Sequence, residues 1–160
     1  MKDLFKIIIG DDFVFSSISG TVVAGIYVET VERSFPDNQW TDFVERVLGT
    51  WLYNLVDAKN KANVDFNLFF MDGPFRLDVH KDNQMNLSVS CINARYDEKA
   101  EIVFCCTYVE FLQELYRAFN QFKTYLYKKK MGDDIYESAY KQTIISLNTI
   151  RDTIKELNPK

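Results

Sequence analysis
A chain of 160 residues suits one domain with a real core, residues 1–160 taken together. At 47% hydrophobic and 15% aromatic it has the composition of a folded domain, and its longest apolar runs, such as Ile7–Ile9 and Val103–Cys106, are far shorter than a membrane span. The net charge of −4 argues against nonspecific binding to nucleic acid.

The acidity is uneven. Residues 1–80 hold 7 basic and 12 acidic side chains, residues 81–160 hold 12 and 11, so the charge gathers in the first half. The opening MKDLFKIIIGDDF carries Lys2, Asp3, Lys6, Asp11 and Asp12; it is too short and too acidic for a signal peptide, and a cytoplasmic protein is expected. Cys91, Cys105 and Cys106 are odd in number and lie in apolar stretches, which fits buried thiols in a reducing compartment. Adjacent Cys105 and Cys106 would face opposite sides of a strand and cannot hold one metal ion.

In chain order, residues 4–9 read as a short buried strand and Gly10-Asp11-Asp12 as a turn. Phe13–Phe15 resumes the sheet, and Ser16–Gly20 is a loop. Thr21–Val31 is rich in β-branched residues and reads as a longer strand, with Ala24, Ile26 and Val28 on one face and Gly25, Tyr27, Glu29 and Val31 on the other. Pro36 holds Phe35 extended, and Asp37 can cap a helix. Trp40, Phe43, Val44, Val47, Leu48, Trp51, Leu52, Leu55 and Val56 follow the helical period, which predicts a helix from Asp37 to about Lys59–Lys61 with both tryptophans on one stripe.

From Asp65 the period changes to two. Runs at Phe66–Phe70, Phe75–His80, Met85–Cys91 and Ala100–Cys106, joined by short polar turns, read as an antiparallel meander. The continuous apolar character of 4–9 and 102–106 predicts central strands covered on both faces. Thr107 and Glu110 form a capping box that opens a helix to about Lys130, with Val109, Leu112, Leu115, Tyr116, Phe119, Phe122 and Leu126 inward and Gly132 among its stop signals. Asp134 and Glu137 repeat the box before a last helix that ends at Asn158-Pro159. The fold class predicted is α+β: an antiparallel sheet packed against an inserted helix and a C-terminal helical hairpin.

Few residues group in a way that carries chemistry, so no catalytic residue, metal ligand or cofactor is assigned. His80 is the single histidine; Asp78 shares its strand face, and Asp72 precedes them in a turn, a D-x-H arrangement that could seed a metal or carboxylate-using enzyme site. A solvated strand face accounts for it more simply. Asp11 and Asp12 read as turn residues before paired carboxylates, and Cys105 or Cys106 as packing before nucleophile. Lys128–Lys130 complements a helix C-terminus before it binds phosphate. Trp40 and Trp51 read first as core; the sharper alternative is an aromatic anchor with Phe35 and Tyr53. The acids Glu29, Glu32, Asp37, Asp42 and Glu45 around it would then steer a basic partner.

The pattern FP-x3-W-x-D-F at Phe35, Pro36, Trp40, Asp42 and Phe43, followed by Trp51 and by FMDGPF at Phe70–Phe75, resembles small bacterial immunity proteins encoded beside polymorphic or contact-dependent toxins. The resemblance covers about residues 26–106. It implies a stoichiometric inhibitor of a toxin made in the same cell, with no turnover and with the cognate toxin domain as partner. Acidic proteins of this kind often face basic nuclease toxins, although the match itself does not give the toxin's activity. Glu29, Glu32, Phe35, Asp37, Asp42 and Glu45 are the expected partner-binding residues. An enzyme around Asp72, Asp78 and His80 and a structural homodimeric subunit stay open as alternatives, as does the choice between monomer and homodimer. Neither nucleic acid nor membrane is an expected partner.

Overall fold
The structure is a computed structural model that describes residues 4–96, 98–130 and 134–159. The charges at Lys2 and Asp3 and the expected stop at Gly132 lie outside the described residues. Five strands come first: β1 (Phe5–Ile9), β2 (Val14–Ser16), β3 (Thr21–Thr30), β4 (Ser34–Phe35) and β5 (Thr41–Phe43). Helix α1 (Val44–Ala58) follows, then β6 (Val64–Phe69), β7 (Phe75–Lys81), β8 (Asn86–Asn93) and β9 (Ala100–Thr107). The chain closes with α2 (Tyr108–Lys130), a 3-10 turn at Asp134–Tyr136 and α3 (Glu137–Leu157). The architecture is α+β, and its strands form two antiparallel sheets where the sequence predicts one.

In the first sheet β3 is the centre rail. β1 pairs with its second half and β2 with its first half along one flank, while β4 and β5 pair along the other. Each flank is interrupted, by Gly10–Phe13 between β1 and β2 and by Pro36–Trp40 between β4 and β5. The second sheet is the expected meander, in the order β6-β7-β8-β9. Alternation then sorts the side chains: Ile7, Ile9, Ala24, Ile26, Val28 and Phe35 from the first sheet, and Leu68, Leu77, Val79, Val89 and Phe104 from the second, enter one buried cluster.

The helix α1 begins at Val44, seven residues later than predicted. Asp37 Oδ1 accepts the N–H of Gln39 at 2.8 Å, which turns the chain locally. The chain then returns to β3: Ile26 N–H donates to Trp40 O, and Thr41–Phe43 pairs with Gly25–Val23. Trp40 and Phe43 fit the helical period by coincidence, since three residues are too few to tell a period of 3.6 from one of two. Trp40 is therefore not on α1, and the two tryptophans do not share a helical stripe. Trp51 is fully buried; its Nε1–H donates to Phe69 O at 2.8 Å, and Asn54 donates to Asn67 O at 3.0 Å. These two side chains of α1 cover the outer edge of β6.

Neither apolar run is a central strand. β1 lies on a flank, where α2 closes its edge: Ile7 N–H donates to Glu114 Oε1 at 2.8 Å and Arg117 donates to Ile7 O at 2.7 Å. β9 is the last strand of the meander and exposes Glu101, Val103 and Cys105 on its outer face, so Cys105 is an exposed thiol rather than a buried one. The capping box before α2 forms as expected, with Glu110 N–H on Thr107 Oγ1 at 3.1 Å and Thr107 N–H on Glu110 Oε2 at 2.9 Å. The buried stripe of α2 is broader than predicted: Tyr108, Phe111 and Ala118 join it, while Val109 is half-buried. Before α3 the second box is replaced by the 3-10 turn, and no side chain caps that helix among the described residues. The Tyr108 hydroxyl donates to Leu55 O at 2.5 Å, so α2 satisfies a carbonyl in the last turn of α1, and Lys81 Nζ of β7 donates to Lys61 O in the turn that follows it.

Candidate functional site
The residues that stand out in the sequence at 35–43 and 70–75 meet at one carboxylate. Asp42, only 2% exposed, points inward from β5 because its neighbours Thr41 and Phe43 face the other way. It accepts the N–H of Phe43 at 2.7 Å, Trp40 Nε1–H at 3.2 Å, Met71 N–H at 3.0 Å and Asp72 N–H at 3.1 Å. A carboxylate that collects backbone N–H groups makes strong, charge-assisted bonds. Here they tie the 36–40 interruption to the 70–75 turn, and the first sheet to the second.

Aromatic rings complete this clamp. Phe35 meets Phe70 and Phe75 edge-on, with centroids 6.0 and 5.7 Å apart; Trp40 meets Phe75 at 4.9 Å and Trp51 meets Phe70 at 5.3 Å. Gly73 adopts φ +74°, and a Cβ there would lie 2.9 Å from the Trp40 ring, so the close approach requires glycine. Outside the clamp, Asp37, Asn38, Gln39, Met71, Asp72 and Gly73 are exposed on two adjoining loops.

The six expected partner-binding residues divide accordingly. Glu29, Glu32 and Asp37 are exposed. Phe35 is fully buried and Asp42 nearly so, which corrects the expectation that both meet a partner: their side chains form the clamp. Glu45 is half-buried and turned to β3, accepting the Thr21 hydroxyl at 2.8 Å and Val22 N–H at 2.5 Å. It lines a cleft of about 250 Å³ between the β2–β3 turn, α1 and α3. An acid reads as surface in the sequence, which hides the role of Asp42; the signal present is its place between Trp40 and Phe43, in a stretch where every second side chain faces in.

Asp78 and His80 do share the outer face of β7, at a shallow cleft of about 310 Å³. Asp78 is held by Arg76 through two bonds of 2.7 and 3.3 Å. His80 Nδ1 lies 2.7 Å from Asp65 Oδ1, and Ser88 is its neighbour on β8. This is the acid–base–hydroxyl order of a nucleophilic site, but Asp65 is 84% exposed, whereas an orienting carboxylate works from a buried position. Asp72 is not brought to His80, since the length of β7, roughly 16 Å, separates its turn from that residue. Among the described residues no three His, Cys, Asp or Glu side chains group as a metal site. Cys91 is buried, and burial pushes its thiol up to about 12, far from a reactive thiolate. No helix of the described residues is long and apolar enough to cross a membrane.

No family model matches the chain, and neither a curated protein nor a solved structure matches it.

Proposed function
We propose that this chain is a non-catalytic, cytoplasmic binding protein of the immunity type, which neutralises a cognate bacterial toxin domain by forming a one-to-one complex. The observation that favours this reading is the clamp at Asp42. Phe35, Trp40, Asp42, Trp51, Phe70 and Phe75, the residues behind the resemblance, come from three segments of the sequence and are in contact in space. They act as one unit, and the unit fixes two exposed loops against each other. Neutralisation by binding needs such a surface, because loops already fixed lose little freedom when the partner arrives.

The test is co-expression with the C-terminal toxin domain of a large secreted protein encoded beside this gene. Growth is expected to arrest when that domain is made alone and to resume when this protein is made in at least equal amount. Continued arrest with both proteins soluble in the cell contradicts the reading. Rescue by far less protein than toxin contradicts the stoichiometric form of it and favours an enzyme.

A further inference from the structure
The outward-facing side of the first sheet has a use that the clamp does not account for. Register places Ile8 beside Tyr27, and Val14 beside Val23 beside Phe43, all pointing away from the core. These five belong neither to the buried cluster nor to the side chains packed against it. Val14 is 67% exposed and the other four are half-buried. Between the two groups Gly10 N–H donates to Gly25 O at 2.8 Å, and this stretch of bare backbone leaves the middle of the face flat. Apolar side chains grouped on an outward face with no core to pack against mark it as a candidate interaction surface.

Its rim is acidic. Asp11 and Asp12 stand in the interruption on one flank and Asp37 in the interruption on the other; Glu29 lies on the face and Glu32 at its tip, and all five are exposed. The segments 4–16, 21–37 and 41–43 hold six acids, the buried Asp42 included, against two bases, Lys6 and Arg33. Lys6 is the cross-strand neighbour of Glu29 and offsets part of its charge, while Arg33 lies 3.5 Å from the Glu101 carboxylate; Asp11, Asp12, Glu32 and Asp37 keep the rim acidic.

We propose that this face docks a protein domain whose contact surface is basic around an apolar centre. The proposal rests on the binding reading above and adds the surface and the charge of the partner. An apolar centre within a polar rim is the anatomy of protein interfaces. The sign of the rim selects among occupants: a second copy would set five carboxylates against five, and nucleic acid or an anionic membrane would be repelled, whereas a basic domain is drawn in.

The experiment titrates the full chain with the toxin domain encoded beside the gene, and follows its mass by light scattering. Val14→Asp and Tyr27→Ser are expected to weaken the complex about tenfold or more while melting as the parent does. The double variant Glu29→Lys/Asp37→Lys is expected to slow association about tenfold at low salt, a deficit that high salt erases. Unchanged binding by all three variants, with the parent chain binding well, overturns the docking face and leaves the binding reading standing. No complex with the parent chain overturns both. A dimer of the chain alone that Tyr27→Ser dissolves assigns the face to a second copy and overturns the proposal.

Discussion
The clamp at Asp42 and the outer face of the first sheet share one short stretch, residues 35–43, and they use its side chains in opposite ways. Phe35 and Asp42 turn inward, where they hold two sheets and two loops together. Asp37 and Phe43 turn outward, where they hold nothing of the core. Two acids five positions apart therefore have unrelated work, and burial, not charge, tells them apart. Substitutions inside the clamp should be read in stability, and those on the face in binding.

The largest effect is expected at Trp51, which is fully buried and bonded to Phe69 O. Trp51→Ala should cost about 3–5 kcal/mol in urea unfolding. A loss under 1 kcal/mol by that same measure would mean that α1 is not fastened to β6 as described.

Much of this layout is legible in the sequence. The meander survives because four runs of period two are joined by turns too short for anything but antiparallel neighbours. The capping box at Thr107 and Glu110 survives because it is set within four residues. What was hidden is non-local. That β4 and β5 pair with β3 depends on a register between distant segments, and the local period at Trp40 and Phe43 pointed to a helix instead. Apolar runs at β1 and β9 said nothing about flank or centre, because side chains of α2 can close an edge as well as a strand can. Of the candidate site, exposure kept Glu29, Glu32 and Asp37, whereas Phe35, Asp42 and Glu45 were drawn inward by contacts to residues 21–75 that no spacing announces.

A smaller effect sharpens the geometry of the clamp. Gly73→Ala should cost about 1–2 kcal/mol, because the new methyl meets Trp40 and the backbone has a positive φ. Its near-ultraviolet circular dichroism should change with the Trp40 environment, and an unaltered spectrum would place Trp40 elsewhere.

The core beneath β8 offers a test in pH. Burial raises the Cys91 thiol from 9.0 to about 12, so the folded state favours the neutral form. That stability is complete below pH 9.0 and is lost as the pH rises towards 12, by at most about 1.4 kcal/mol per pH unit. Cys91→Ala should flatten this part of the urea-midpoint profile. The same burial predicts that a thiol reagent modifies exposed Cys105 well before Cys91 in the folded protein.

The smallest effects belong to the rim, where Glu29→Lys and Glu32→Lys should each change stability by about 0.5 kcal/mol or less. A larger loss in either of them would move that acid from the presenting side to the holding side.

Asp42 and Phe43 are adjacent and face opposite ways, so their paired urea midpoints test the division most directly. Asp42→Ala is expected to lose about 3 kcal/mol or more, because the N–H groups of Phe43, Met71 and Asp72 and the Trp40 indole are left without their acceptor. Phe43→Ser is expected to stay within about 1 kcal/mol of the parent chain. Equal losses, or a larger loss at Phe43, would contradict the account.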